Sequence, residues 1–312
     1  MNQRSLLTAV ALGTAFASSG SLPVVFAEEK AVFDTSMIEE VTGLKGTFSK
    51  QENVFKVSKP RSDVPVSVDN WRMPPFMGLT SWAAFTPGHD GQVMMMGDTV
   101  VFEDEVNPVM STAFEAGLEV TALHNHFFFD EPKVYFMHIG GMGDARTLAA
   151  AVKRVFDKSA AIRAAQPEPQ RMFGGGKIAS PRAISPEPLE AILGMKGQAK
   201  DGMFKVVIGR SATMHAMPIG KEMGVNTWAA FAGSNDEAVV DGDFAMTENE
   251  LQTVLRAMRK EGINIVALHH HMSDEEPRIL FVHYWGKGKA AALAQSFKSV
   301  LGAQADVAGH RN

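Results

Sequence analysis

The sequence predicts an α+β protein made of two tandem homologous repeats, each a mainly antiparallel sheet with helices. Two observations support this prediction. A histidine-rich segment at 124–138 returns at 269–283, and the tetrad Trp-Ala-Ala-Phe at 82–85 returns at 228–231. The predicted helices and strands also return in the same order around both copies. We expect the copies to be related by a pseudo-twofold axis, and the sequence leaves open whether one continuous sheet joins them.

The duplication divides the 312-residue chain into four segments. Residues 1–27 form a predicted secretory signal peptide, with Arg4 ahead of a short apolar run and small residues at its end. Repeat 1 covers 36–160, a linker rich in proline and glycine covers 161–185, and repeat 2 covers 186–302. No stretch after the signal peptide is apolar over the length that a bilayer needs. We therefore expect a periplasmic or secreted protein that does not insert into the membrane.

Each repeat is predicted to contain a helix, about three strands, a second helix, a two-stranded hairpin and a last helix. Asn107 and Pro108 are predicted to open the second helix of repeat 1. Its counterpart in repeat 2 is predicted to open with a capping box formed by Thr247 and Glu250. Both second helices end at a glycine just before the histidine-bearing strands.

The amino-acid composition limits the possible nucleophiles, metal ligands and partners. The chain has no cysteine, which excludes a thiol nucleophile and a lipid-carrying N-terminal cysteine, and leaves His, Asp, Glu and Met as metal ligands. Removal of Arg4 with the signal peptide leaves 29 basic against 35 acidic residues, a net charge of −6. Nucleic acid is therefore not an expected partner. The 19 methionines, Met94–Met96 among them, are interpreted as core filler, with soft copper ligands as the alternative.

Both histidine-rich segments have the same spacing. Each begins with His-x-His, continues with four residues and Glu-Pro, and ends at a histidine that is separated from the glutamate by six residues. Strand alternation would place four residues of repeat 1 on one face, namely Val120, Ala122, His124 and His126. A hairpin centred near Glu131 would then set His138 opposite His124 and Phe136 opposite His126. Opposed side chains lie roughly 5 Å apart, close enough for imidazoles to bind one metal ion. In repeat 2, His270 would point to the other face.

We therefore predict that the chain binds metal through His124, His126, His138, His269, His271 and His283. Three imidazoles with at most one carboxylate suit Zn²⁺ best, and Cu, Fe or Mn ions would also fit. Glu131 and Glu276 are interpreted as catalytic bases or fourth ligands, with exposed turn carboxylates as the alternative. Asp98 and Asp243 each follow a glycine and are interpreted as turn formers, with a role at the metal site as the alternative.

Three functions are compatible with this pattern. The first is an exported metal-dependent hydrolase acting on a small-molecule or polymer substrate that the sequence does not identify. The second is a non-catalytic protein that binds or delivers zinc or copper. The third is a binding module whose histidines contact an anionic ligand without metal. The sequence contains no phosphate-binding loop and no serine nucleophile elbow.

The chain also resembles a known family. The segments Ala-Leu-His-Asn-His at 122–126 and Ala-Leu-His-His-His at 267–271, each followed by Glu-Pro and a further histidine, together with the Trp-Ala-Ala-Phe tetrads, are similar to the LppY/LpqO family. That resemblance covers nearly all of the chain after the signal peptide. It implies an exported bacterial protein of largely unknown function. Some members are lipoproteins, and this chain departs from them because it has no cysteine to carry lipid.

Overall fold

A computed structural model describes residues 34–174 and 183–309. The predicted signal peptide lies outside the described residues, as do 175–182 of the predicted linker. Among the described residues, no helix combines the length and apolar character needed to cross a membrane.

The two halves contain the same series of elements. Repeat 1 has α1 (Thr35–Thr42), β1 (Gly46–Ser49), β2 (Val54–Pro60), β3 (Ser67–Val68), β4 (Trp71–Arg72), β5 (Thr80–Pro87), β6 (Val93–Phe102), α2 (Glu103–Glu115), β7 (Glu119–His124), β8 (Asp130–Glu131), β9 (Val134–Gly143) and α3 (Ala145–Ala165). Repeat 2 has α4 (Pro186–Leu193), β10 (Gln198–Lys200), β11 (Met203–Gly209), β12 (Ala212–Met214), β13 (Met217–Ile219), β14 (Asn226–Gly233), β15 (Ala238–Thr247), α5 (Glu248–Lys260), β16 (Asn264–His269), β17 (Glu275–Glu276), β18 (Ile279–Gly288) and α6 (Ala290–Gly309). Short 3₁₀ turns precede β5 and β14.

One twelve-stranded antiparallel sheet runs through both repeats, in the order β1-β2-β5-β6-β9-β7-β16-β18-β15-β14-β11-β10. The second half of this order repeats the first half in reverse, as a pseudo-twofold axis between β7 and β16 requires. The α+β prediction is therefore confirmed, and the open question is answered because the sheet is continuous. Two three-stranded sheets, β4-β3-β8 and β13-β12-β17, stand apart from it.

The two faces of the large sheet are covered differently. The six helices bury the main apolar cluster against one face. Each helix contributes to it, and one buried residue from each in chain order is Ile38, Val109, Val152, Leu189, Leu255 and Phe297. On the other face, a small apolar cluster lies beneath each three-stranded sheet, around Phe136 in repeat 1 and around Phe281 in repeat 2. The centre of that second face is left to polar side chains, and both histidine segments lie there.

The start of α2 differs from the prediction. This helix begins at Glu103 rather than at Asn107, because Glu105 supplies the cap: its carboxylate accepts a hydrogen bond of 3.0 Å from the N–H of Phe102. Pro108 consequently lies inside the helix. The capping box of α5 is confirmed, since Glu250 accepts from the N–H of Thr247 at 2.9 Å.

The end of repeat 1 also differs. Helix α3 continues to Ala165, so the first five residues assigned to the linker are helical. The reason is Arg163, which is buried and forms an ion pair with Glu105 at 2.7 Å and another with Asp104. Helix α4 begins at Pro186, where repeat 2 was predicted to begin.

The predicted alternation in the histidine-bearing strands is wrong at one point. A β-bulge lies between Val120 and Ala122 in β7, and another between Ile265 and Ala267 in β16. Because a bulge adds one residue to the strand, Val120 belongs to the helix-side core with Leu123 and not to the face that carries His124.

Side-chain amides bind the backbone at both bulges. Asn107 accepts from the N–H of Ile265 at 2.8 Å and donates to its carbonyl at 3.0 Å. Gln252 accepts from the N–H of Val120 at 3.2 Å and donates to its carbonyl at 2.9 Å. The two contacts are pseudo-symmetric and cross between repeats. They satisfy backbone groups that the bulges remove from the ladder.

A buried ion pair fixes the second helix of each repeat. Arg61 donates to Glu105 at 2.7 and 3.0 Å, and both side chains are almost fully buried. Arg210 and Glu250 form the matching pair at 2.9 Å. Each glutamate also caps its helix, so the ion pair and the helix start depend on one carboxylate.

We predict that Glu105→Ala lowers the free energy of unfolding by about 3–5 kcal/mol, because it removes the fully buried carboxylate that pairs with the buried guanidinium groups of Arg61 and Arg163. Urea denaturation measures the change. Glu115→Ala on the same helix is the control: Glu115 is exposed and lies 3.8 Å from Arg154, so we expect a change within about 0.5 kcal/mol. Equal losses for the two variants would contradict the assignment.

Candidate metal centre

Two polar clusters occupy the centre of the open sheet face, one in each repeat. In repeat 1, Asp98 of β6 pairs with His138 of β9. In repeat 2, Asp243 of β15 pairs with His283 of β18. The two aspartates therefore lie within central strands, and their interpretation as turn formers is wrong.

The glycine before each aspartate is required by close packing and not by a turn. A Cβ atom at Gly242 would lie 2.2 Å from the Tyr284 hydroxyl and 2.3 Å from the carbonyl oxygen of Trp228. That hydroxyl donates to the same carbonyl at 2.9 Å. The glycine thus lies where a tyrosine side chain approaches the backbone closely on the helix side of the sheet. The aspartate that follows it places a polar group on the open side.

The predicted hairpin register is wrong by two residues. His124 pairs with Phe136 and His138 pairs with Ala122, and the same holds for His269 with Phe281 and His283 with Ala267. The hairpin is centred on Asp130 rather than Glu131, because the buried Asp130 carboxylate accepts the N–H of Val134 at 2.8 Å. A shift of two residues preserves the face of each side chain, so the histidines still lie together.

The repeat 2 cluster brings three donor groups close enough to hold one ion. Oδ2 of Asp243 lies 3.1 Å from Nε2 of His271, and Oδ1 lies 3.8 Å from Nε2 of His269. Potential ligand atoms of these three residues all lie within 4.8 Å of one another. Asp243 is buried, whereas both imidazoles are partly accessible to solvent. A cation here would have protein ligands on one side and solvent on the other.

The histidines of repeat 2 have their Nδ1 atoms next to backbone carbonyls. The distances are 3.4 Å from His269 to the carbonyl of His270, 3.2 Å from His271 to that of Gly224, and 3.1 Å from His283 to that of Gly242. An Nδ1–H that donates to a carbonyl leaves Nε2 with its lone pair free. This is the arrangement that orients and holds imidazole ligands in metal sites.

Ring stacking holds the same imidazoles in place, and burial favours the neutral form of one of them. The His271 ring stacks on Phe281 with centroids 3.5 Å apart, and the His269 ring stacks on His283 at 4.7 Å. Burial lowers the pKa of His269, which favours the neutral form that binds metal. Oδ1 of Asp243 and Nε2 of His269 are buried, and neither has a hydrogen-bond partner among the described residues. A bound cation would satisfy both atoms.

The repeat 1 cluster has the same residues in a looser arrangement. His124 lies between His126 and His138, with ring centroids 5.1 and 5.2 Å apart. His126 stacks on Phe136 at 3.3 Å, and burial, followed by the charge of His124, lowers its pKa. Oδ1 of Asp98 is buried without a hydrogen-bond partner among the described residues. Within the described part of the chain, only the repeat 2 cluster brings three donors within 4.8 Å.

The two glutamates lie apart from these donor groups. Glu131 is exposed in β8 and forms an ion pair with Arg171 at 2.8 Å. Glu276 is exposed in β17, where its backbone carbonyl accepts from Thr213 at 3.2 Å. Neither belongs to the group of close donors. Their catalytic role stays a prediction, as does ligation by His283 and by the histidines of repeat 1.

The methionine triplet is divided between the two faces. Met95 is fully buried in the core, whereas Met94 and Met96 are exposed. Both exposed thioethers alternate with Asp98 along β6 and so lie on its face of the sheet. Repeat 1 therefore has two exposed thioethers on the sheet face that carries Asp98.

Comparison with known proteins gives a family without an activity. A family model described as Domain of Unknown Function (DUF1259) matches residues 36–158 and, a second time, residues 187–303. The double match supports an internally duplicated family of unknown function, and its description does not carry the LppY/LpqO name. No curated protein and no solved structure matches the chain.

We predict that Gly242→Ala lowers the free energy of unfolding by about 1–3 kcal/mol, because the new methyl group cannot fit beside Tyr284. The same variant should weaken metal binding, since it displaces the strand at Asp243. Urea denaturation and zinc titration measure the two effects. Gly302→Ala in helix α6 is the matched control, as no atom lies within 4 Å of its Cβ position. There we expect a gain of up to about 1 kcal/mol.

Proposed function

We propose that this protein, which belongs to the family described as Domain of Unknown Function (DUF1259), binds a divalent transition metal ion. The binding site is the repeat 2 cluster. The ligands are Asp243, His269 and His271. The observation that supports this most directly is the convergence of their donor atoms around a buried carboxylate with no Lys or Arg partner among the described residues.

Zn²⁺ is the ion that this donor set suits best. Two imidazoles and one carboxylate are a ligand set of catalytic zinc sites, which keep the remaining position for water. Fe²⁺, Mn²⁺ and Cu²⁺ accept the same donors, so metal supply affects which ion is bound. The exposed methionines beside the repeat 1 cluster favour copper there, because thioethers are soft ligands.

Hydrolysis is the enzymatic function that we propose for this site. The partial exposure of His269 and His271 leaves the outer side of the site open to a substrate. Zn²⁺ held there would polarise a carbonyl or phosphoryl group and lower the pKa of a water molecule. Glu276, at the far end of the same hairpin loop, is the proposed general base. A non-catalytic zinc or copper carrier is the second candidate, and the exposed position of the site favours it.

Metal content tests the site directly. We expect about one equivalent of zinc per chain in protein that begins at residue 28, measured by plasma mass spectrometry after reconstitution and desalting. Asp243→Asn and the double variant His269→Ala/His271→Ala should lose it, because each removes ligand atoms. His270→Ala is the matched control, since His270 is an exposed neighbour outside the donor group.

The double variant His124→Ala/His126→Ala determines whether repeat 1 holds a second ion. Copper in place of zinc would favour the carrier function. Wild-type protein that retains no metal after reconstitution would contradict the proposal and leave the metal-free binding module.

Turnover of p-nitrophenyl acetate and bis(p-nitrophenyl) phosphate by the zinc-loaded protein tests hydrolysis. We expect Glu276→Gln to lower turnover by about 10²-fold or more with zinc content unchanged, as the loss of a general base does. Glu261→Gln is the control, because Glu261 is a partly exposed glutamate that follows helix α5 and lies outside the donor group. Loss of zinc in Glu276→Gln would make this residue a ligand instead. Zinc binding without turnover of either compound would favour the carrier.

A further inference from the structure

A second candidate site lies at the seam between the repeats, on the helix side of the sheet. It is a cleft of about 410 Å³ between α2, β9, residues 170–174, α5 and β16. None of its lining residues belongs to either histidine cluster. Clefts of this size where two structural units meet are common sites for small molecules.

One end of the cleft contains a partly buried positive charge, that of Arg259. Arg259 donates to the Ser111 hydroxyl at 3.0 Å, to the carbonyl of Ile263 at 2.7 Å and to the Asn264 side chain at 3.2 Å. These bonds use Nε and Nη1. Among the described residues, no carboxylate forms an ion pair with Arg259, and its Nη2 has no hydrogen-bond partner. Burial lowers its pKa to about 10, and the group is still charged at neutral pH.

The acidic groups of the cleft lie at its other end. Glu103 and Asp104 are in the first turn of α2, eight and seven residues before Ser111, which corresponds to about 12 Å along a helix. Asp104 is paired with Arg163, and the second guanidinium of the cleft, Arg171, is paired with Glu131. Glu103 is exposed at the rim. An anion would therefore be attracted to Arg259 and repelled at the opposite end.

Apolar side chains lie between the two ends. Pro108 and Val266 line the walls, and Met172 and Phe173 cover them from the linker. Three of the four are exposed large hydrophobic residues, with 39% of Val266, 58% of Met172 and 37% of Phe173 accessible. An apolar ligand body would cover this surface.

The seam between the repeats does not need a guanidinium at the position of Arg259 in order to pack. Asn107 and Gln252 occupy equivalent positions 145 residues apart, and the same offset relates Arg259 to Phe114. On the Phe114 side, Arg256 crosses the seam and donates to the carbonyls of Phe114 and Leu118 at 2.8 Å. Both of its terminal nitrogens are thus used. Of these two described arginines at the seam, Arg259 is the one that lines the cleft and keeps a terminal nitrogen without a hydrogen-bond partner.

We propose that this cleft binds a small amphipathic carboxylate, with its carboxylate group on Arg259 and its apolar body along Pro108, Val266, Met172 and Phe173. A guanidinium already held by three protein contacts loses little further freedom on binding a carboxylate. The apolar walls add the burial of a short alkyl or aryl chain.

Isothermal titration calorimetry with octanoate and 3-phenylpropanoate tests the proposal. Metal-stripped protein is used, so that the carboxylates cannot bind through a zinc ion. We expect one molecule bound per chain, with octanamide and octylamine weaker by about tenfold or more, because the amide is uncharged and the amine is a cation, so neither forms an ion pair with Arg259. Failure of both carboxylates to bind, or equal binding of octylamine, would overturn the proposal.

Variants locate the site. Arg259→Gln should weaken octanoate by about tenfold or more, while Arg256→Gln, one turn away on the same helix, should bind as wild type does. If Arg259→Gln does not fold, as judged by circular dichroism, Phe173→Ser decides, since Phe173 lies in the linker and outside the core. Phe173→Ser with wild-type affinity would then contradict the site. Asp243→Asn should bind octanoate unchanged, which separates this result from the metal proposal.

Discussion

The structure depends on how two bulged strands meet at the pseudo-twofold axis. Strands β7 and β16 form only one regular pair, Leu123 with Leu268. Twelve strands nevertheless form one sheet, because amides from helices α2 and α5 bind the backbone at Ile265 and Val120. The bulges let one strand serve both faces: apolar residues on either side of each bulge pack under the helices, and histidines reach the open face. The same irregularity thus joins the repeats and places the two polar clusters side by side.

Buried carboxylates in this protein are balanced in two different ways. Glu105 and Glu250 each have an arginine within hydrogen-bonding distance, which offsets the cost of burying their charge. Asp98 and Asp243 are buried to a similar degree, but neither forms an ion pair with an arginine or a lysine among the described residues. Burial lowers the pKa of His269, which favours its neutral form, and a neutral imidazole does not balance a carboxylate. The cation proposed for repeat 2 would balance the Asp243 carboxylate.

Much of this arrangement could be predicted from the sequence. The duplication, the fold class, the hairpin and the common face of the histidines all follow from patterns of period two and from repeated motifs. The register and the bulges could not be predicted, because they depend on contacts from outside the hairpin. Asn107 and Gln252 stabilise the bulges from the other repeat, and the Asp130 carboxylate sets the hairpin centre. The turn that Gly-Asp predicts at Asp243 is wrong for a similar reason, since the glycine before it is required by Tyr284, a residue 42 positions later in the sequence. The signal that could have identified it is the repetition of Gly-Asp at the histidine offset.

The differences between the repeats separate what folding requires from what it does not. Exposed aromatic residues around the repeat 1 cluster, such as Trp71 and Phe129, correspond to Met217 and Asp274 in repeat 2. Buried positions such as Phe136 and Phe281 keep their type because the two small cores need them. The aspartate and three histidines of each repeat fit neither class: each aspartate is a buried carboxylate beside imidazoles that are at least partly exposed, yet all four residues agree in both copies. Packing does not explain that agreement, whereas the proposed metal binding would explain it for Asp243, His269 and His271.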